Sequence, residues 1–325
     1  SFRTAVRLNR FLGETEMSGK IKLLDWADFP ESFSKWKLNP AGAHLKTEVL
    51  SPGVYALISS IPGVDNAGFV VGERGVLVID AHISVPMANQ IQERVREVTD
   101  KPILYLVNSN YHADHTFGNC AFPAETLVIQ HRRTAELVPY FEEERAFMMP
   151  CVDDDPAIFE GVTLRLPDIV FDGYLRLDLG GRAVECHYFG PANTPGDTIT
   201  YVPEAKAAWT GNVTGGIFGL ALETDAPTYM ETLTRFIRRL DVEILVPAHM
   251  PMVGAEYLGR YLLYFSEVTE GVRKAIGAGC SLEETLKRVS QSETFSLPPE
   301  DPRSIVMTGR HQYNVRRTYL ALSAA

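Results

Sequence analysis

The chain has 325 residues, 45% hydrophobic and 22% charged, which is enough to bury a sizeable core as one large domain or two small ones. Its formal net charge of −10 argues against nucleic acid, whose phosphate backbone is bound through many lysines and arginines. No run approaches the roughly 18 apolar residues of a membrane span, and Ser1 to Lys20 is polar where a secretory signal needs an apolar stretch.

The first 44 residues carry Phe2, Phe11, Trp26, Phe29, Phe33 and Trp36 with Pro30 and Pro40, the pattern of an arm packed on its own domain or on a second subunit. From there β-rich runs separated by glycine turns predict strands over Val54–Ser59, Ala67–Val71 and Val76–Asp80. Helical spacing of Met87, Ile91, Val95 and Val98 predicts a helix over Val85–Val98, followed by a short buried strand at Ile103–Val107. A strand at Leu127–Gln130 leads into a helix-prone stretch, Arg132–Met149, whose Phe141–Met149 portion is placed to act as a lid. Residues 150–168 read as irregular. Strands follow at Ile169–Phe171, Tyr174–Leu179, Ala183–Phe189, Thr198–Val202 and Ala207–Thr210, then a helix at Pro227–Leu240 and a strand at Glu243–Val246. The tail from Ala255 is helical, with breaks near Gly277–Gly279 and Pro298–Pro302. Two batches of strands mixed with helices suggest two sheets face to face with helices outside.

Four widely spaced cysteines, Cys120, Cys151, Cys186 and Cys280, form no C-x-x-C and no disulfide framework, so they read as free thiols of a cytoplasmic protein. Cys120 stands close enough to a histidine cluster to be tracked, although a small buried hydrophobe is its plainer reading. His187 reads as a core histidine, and His131 and His311 as surface residues of helix-like stretches. No G-x-S-x-G, P-loop or dinucleotide-binding glycine motif occurs.

The densest polar cluster is Asn108-Ser109-Asn110-Tyr111-His112-Ala113-Asp114-His115, which begins where an apolar strand stops, a place where ligands bind. Alternation puts the side chains of residues 110, 112 and 114 on one side of an extended segment. Asp114 and His115 both reach inward only if the chain turns there. Imidazoles and a carboxylate converging at a turn are ligands for first-row metals.

This segment resembles the H-x-H-x-D-H signature of the metallo-β-lactamase superfamily, with Asn110 in place of the first histidine. Downstream, Gly190-Pro191-Ala192-Asn193-Thr194-Pro195-Gly196-Asp197 is similar to the family's G-x-x-H-T-x-G-D. Thr210-Gly211-Asn212 is similar to its T-G-D, Pro247-Ala248-His249 to its late P-x-H, and Asp80 ends a strand like its L-x-I-D. The resemblance implies a mixed α/β, four-layer αββα sandwich over residues 45–255. The N-terminal arm, 1–44, precedes it, and a helical extension, 256–325, packs on it.

The departures from the family pattern carry the functional expectation. The first of the family's two metal positions would take Asn110, His112 and Asn193, and has lost two imidazoles of three. The second would take Asp114, His115 and His249, all present, while the bridging carboxylate has become Asn212. Two dications about 3.5 Å apart repel by on the order of 19 kcal/mol at an effective dielectric near 20, and a neutral amide supplies no bridging charge. The resemblance therefore implies one divalent ion, zinc first and iron second. The expected activity is hydrolysis of a small ester, lactone, amide or activated ether. His112 is the general base or substrate donor, and Asn110, Asn193 and Asn212 are hydrogen-bond partners for substrate. Two other readings remain open: a mononuclear non-haem Fe(II) oxygenase using the same two histidines and carboxylate, and a metal-free enzyme or binding protein. The expected partners are a small-molecule substrate and a second copy of the chain, through the arm or the C-terminal helices.

Overall fold

The computed structural model describes residues 23–324. Strands β1 (Leu45–Ser51), β2 (Val54–Ser59), β3 (Ala67–Val71), β4 (Val76–Ile79), β5 (Ile103–Val107), β6 (Leu127–His131) and β7 (Ile169–Phe171) pair in chain order into one sheet. Its first four strands form an antiparallel meander, and β4 to β7 run parallel. Strands β8 (Tyr174–Asp178), β9 (Ala183–His187), β10 (Ile199–Val202), β11 (Ala207–Gly211), β12 (Ile244–Pro247) and β13 (Val253–Gly254) make a second sheet in the order β13-β12-β11-β10-β9-β8. The helices are α1 (Val85–Val98), α2 (Ala113–Thr116), α3 (Arg132–Leu137), α4 (Phe141–Met148), α5 (Ala226–Arg239), α6 (Glu256–Gly277), α7 (Leu282–Arg288) and α8 (Arg303–Ser323).

The period of two along β4 shows how the layers arise. All of its residues are buried. Leu77 and Ile79 enter the apolar layer between the sheets, beside Val202, Trp209 and Val246 of the second sheet. Val76 and Val78 point the other way, onto Met87, Ile91 and Val95 of α1. A strand covered on both faces reads as an unbroken apolar run, which is what the sequence carries there. The outer face of the second sheet is covered by α5, α6 and α8 through Tyr229, Phe236, Tyr261, Phe265 and Val315. The result is the expected αββα sandwich with helices added after it. No helix among the described residues is long and apolar enough to cross a membrane.

The structure departs from the sequence reading in several places. Strands β1 and β13 were not anticipated. The helix expected over Arg132–Met149 is two helices, because Pro139 lacks the N–H that a continuous helix would use. Its second half is no free flap: Trp26 stacks on Phe147 at 4.7 Å and its indole N–H donates to the Phe147 carbonyl at 2.7 Å. The described part of the arm thus packs on its own chain, with Phe29 stacked on Tyr313 of α8 at 4.8 Å. Residues 1–22, the rest of the expected arm, lie outside the described residues. His131 and His311 are buried, not at the surface. Each sits at a contact between layers where its ring finds fixed partners: His131 the Asp172 carbonyl at 2.7 Å, His311 the Tyr264 hydroxyl at 3.0 Å and the Val289 carbonyl at 2.9 Å. His187 is buried as expected, 2.9 Å from Glu185.

The sheets approach closely where Gly68 of β3 meets Trp209 of β11, whose indole N–H donates to the Ala67 carbonyl at 3.1 Å. A Cβ on Gly68 would collide with that indole. Gly68→Ala is expected to cost about 1–3 kcal/mol through overpacking and to lower the melting temperature followed by circular dichroism by roughly 2–10 °C. An unchanged melting curve would show that the sheets part freely there.

Candidate metal centre

The candidate residues stand in the connections that follow strands. After β5 the chain bends through Asn108–Tyr111 and closes the single turn of α2, with His112 at its N-cap. The turn carries Asp114 and His115 inward together and replaces the extended alternation expected for residues 110, 112 and 114. Asn212 follows β11, His249 follows β12, and Asp65, which sequence reasoning missed, lies in the loop between β2 and β3. Gly211 has φ of 50°, and a Cβ there would strike the Ser109 side chain, so a glycine lets the two sheets meet at the site. Asn66 pins the same junction, donating from Nδ2 to the carbonyls of Pro247 at 2.8 Å and Met250 at 2.9 Å.

Asp65, Asp114, His115 and His249 each offer one ligand atom, and these atoms all lie within 4.8 Å of one another. Asp114 Oδ2 is 3.3 Å from His249 Nε2 and 3.6 Å from His115 Nε2. The far nitrogen of each ring is tied down. His115 Nδ1 donates to Asp80 at 3.0 Å, and His249 Nδ1 donates to the Gly63 carbonyl at 2.9 Å. Asp80 is itself fixed by the backbone N–H and hydroxyl of Ser109, at 2.7 and 2.8 Å. Such partners set the tautomer, leaving Nε2 as the free donor atom, as in metal-binding histidines.

Electrostatics in the cluster ask for positive charge. Burial pushes the Asp65 acid well above the usual carboxylate range, and the neighbouring Asp114 charge adds to it. Burial acts on Asp114 in the same sense, but His115 and His249 outweigh it and hold that acid below its usual range. For His115, burial opposes protonation and is overcome by Asp114 and Asp80, which lift the ring to about 10. Asp65 Oδ1 and Oδ2, Asp114 Oδ1 and His115 Nε2 are cut off from solvent without a hydrogen bond. Orphaned carboxylate oxygens facing a free imidazole nitrogen fit a cation, so the residues present suit a divalent ion.

The other side of the pocket is different in kind. His112 Nδ1 donates to Glu144 of α4 at 2.9 Å, and the same carboxylate accepts from the Ala113 N–H at 3.1 Å. His112 Nε2 has no partner. Burial lowers the basicity of that ring, but Glu144 reverses the effect and the net shift is upward. Asn110 Oδ1 accepts from the His112 N–H, which leaves its Nδ2 unpartnered; Asn193 Nδ2 donates to the Leu220 carbonyl, which leaves its Oδ1 unpartnered. Asn212 Oδ1 is also without a bond. His112, Asp114, Asn193, Asn212 and His249 line one pocket with Trp36, Leu38, Met148, Leu220, Leu222 and Arg310. Cys120 stays outside it, its thiol turned to the Phe117 carbonyl. Glu144 and Arg310 gave no signal in the sequence, since each is one of several charges on its helix; Asp65 had a weak one, an acid set between apolar Val64 and the apolar strand β3.

A family model of the metallo-beta-lactamase superfamily matches residues 61–249. The chain belongs to that superfamily. A linear primary-alkylsulfatase from Pseudomonas sp. is 23% identical over 221 residues, 56% of this chain and 41% of the relative. Among solved structures, a metallo-beta-lactamase from Pontibacter korlensis superposes with a TM-score of 0.57 at 18% identity, covering 69% of this chain and 99% of that one. The stereoselective inverting sec-alkylsulfatase Pisa1 from Pseudomonas sp. gives 0.62 at 17% identity, covering 86% of this chain and 50% of that one. The chain thus spans about half or less of the length of these two sulfatases. The superfamily signature includes the H-x-H-x-D-H segment, in which this chain keeps the second histidine, the aspartate and the last histidine.

Burial lifts the Glu223 carboxyl, behind the amide-bearing wall, from 4.5 to about 7, and its Oε1 has no hydrogen bond. The folded protein therefore holds this proton more tightly than the unfolded chain. Stability is lost as pH rises between about 4.5 and 7 and stays lost above that range. Glu223→Gln is expected to be more stable than the parent at pH 8 by on the order of 1–3 kcal/mol, with little difference at pH 4. Urea unfolding at the two pH values reads this, and a gain that does not change with pH would refute it.

Proposed function

We infer that the chain is a metal-dependent hydrolase of a small ester, using one divalent ion held by Asp114, His115 and His249 with Asp65 beside them. The observation that carries this reading is the convergence of His115 and His249, each with its far nitrogen fixed, on the buried carboxylate of Asp114, whose other oxygen has no partner. Asp114, His115 and His249 would hold the ion, zinc by its preference for imidazole and iron second, and it would supply Lewis-acid chemistry there.

The chain's own residues supply the rest. His112 presents an unbonded Nε2 to the pocket, and Glu144 holds its other nitrogen, so Nε2 is the atom that takes or gives a proton. Asn110 offers a buried N–H donor, and Asn193 and Asn212 offer buried carbonyl oxygens, for the polar atoms of a substrate. Trp36, Leu38, Met148, Leu220 and Leu222 give the pocket an apolar wall suited to an alkyl portion. Alkyl sulfate esters come first among the candidates, because the similar proteins are named alkylsulfatases and the wall suits an alkyl chain. Asn212 supports a single ion, since a neutral amide cannot hold two dications together.

Metal counted by elemental analysis in protein purified without chelator is expected to be close to one equivalent. It should fall to near zero in His249→Ala and persist in His112→Ala, while ester hydrolysis drops by roughly 100-fold or more in both. Two equivalents would overturn the charge argument, and none in the folded parent would overturn the metalloenzyme.

A further inference from the structure

Arg310 reaches the pocket from α8, beyond the stretch of chain that matches the family model, and lines it together with Asp114, Asn212 and His249. Its surroundings do not satisfy it. Nε is cut off from solvent and has no hydrogen-bond partner. Nη1 makes one long contact, 3.5 Å to the Gly215 carbonyl, in the turn that follows Asn212. Burial lowers the guanidinium's affinity for its proton, and the ionisable side chain that acts against this is the Tyr261 hydroxyl, with no carboxylate among the described residues doing so. Tyr261 is committed elsewhere, donating to the Gly216 carbonyl at 2.5 Å. A permanently charged, planar fork held largely away from water without a counter-ion is costly to fold, and guanidinium geometry matches oxyanions in two-point contacts.

We propose that Arg310 is the specificity-determining residue of the pocket and that it takes an anionic oxygen group of the substrate, a sulfate or a carboxylate. This rests on the hydrolase reading above and narrows its substrate class to amphiphilic anions, with an apolar body against Trp36, Leu38 and Met148 and the charged group at Arg310. The turn that carries Asn212 also carries Gly215, so a group bound at Arg310 lies next to the amide that replaces the family's bridging carboxylate.

Isothermal titration of the metal-loaded protein with inorganic sulfate, and separately with acetate, reads the assignment. Arg310→Met is expected to weaken binding of the preferred anion by roughly 10–100-fold with metal content unchanged. Arg310→Lys, which keeps the charge and loses the fork, should weaken it by a smaller factor. Tighter binding of sulfate than of acetate assigns a tetrahedral group, and the reverse a carboxylate. Unchanged anion binding in Arg310→Met overturns the proposal, as does a parent protein that binds neither anion. If Arg310→Met does not fold, unchanged binding in Arg310→Lys overturns it. Turnover of an anionic ester, an alkyl sulfate or a carboxylate-bearing ester, keeps the two readings apart: its absence in a parent that still binds anions through Arg310 counts against the hydrolase and leaves this assignment standing.

Discussion

Burying negative charge is the constraint around which the site is built. Asp65, Asp80 and Asp114 are all removed from solvent within one cluster, although an isolated carboxylate in such surroundings costs several kcal/mol even after relaxation. Asp80 is compensated within the protein, by two bonds from Ser109 and one from His115. Asp114 is approached by the His115 and His249 rings through one oxygen only, and both Asp65 oxygens are left without a hydrogen bond. Carboxylate oxygens buried without partners beside two imidazoles suit a cation.

Holding those groups in place requires a rigid frame, and the fold provides it at the edge where the two sheets meet. Asp80 and His82 both adopt left-handed backbone angles, φ 61° and 68°, which non-glycine residues avoid and which typically cost about 1–3 kcal/mol each. The distortion turns the chain sharply at the end of β4, so that the Asp80 carboxylate meets Ser109 at the end of β5. Across the gap, the Thr198 N–H donates to the Ser109 carbonyl at 2.7 Å and the Asn66 N–H to the Ala248 carbonyl at 2.7 Å. These bonds tie the loops of one sheet to those of the other, so the loops and the helical turn that carry the donor atoms are held to both sheets.

Much of this was legible in the sequence because it is local. Strands with a period of two and helix α1 with a period near four announce themselves in any short window. The stretch from Asn108 to His115 and the residues Asn193, Asn212 and His249 carry a family pattern that survives in their order along the chain. What was not legible depends on distance. Glu144 sits in an acidic run, Glu142 to Glu144, that resembles any solvated helix face, and only folding reveals that it is buried against His112. His131 and His311 looked like surface residues for the converse reason: their burial is set by layers that close over them from elsewhere in the chain. Pro139 was a readable signal that the long apolar and charged stretch around it outweighed.

The pocket has two halves with opposite electrostatic character, and this division explains the substitutions better than loss of function does. On one side, carboxylates and imidazoles converge with unsatisfied atoms; on the other, His112 is joined by amides whose remaining polar atoms are buried and unbonded. A site decaying from disuse would have no reason to keep those amides anchored, yet Asn110 is tied to the His112 backbone and Asn193 to the Leu220 carbonyl. Each anchor leaves one donor or acceptor free and makes the choice of amide orientation definite, and Asn193 lines the pocket itself. Neutral groups that are costly to bury and yet held in a fixed orientation are best explained by a polar ligand that completes their bonds. With Arg310 lining the same pocket, an anion can meet permanent positive charge from the C-terminal helix.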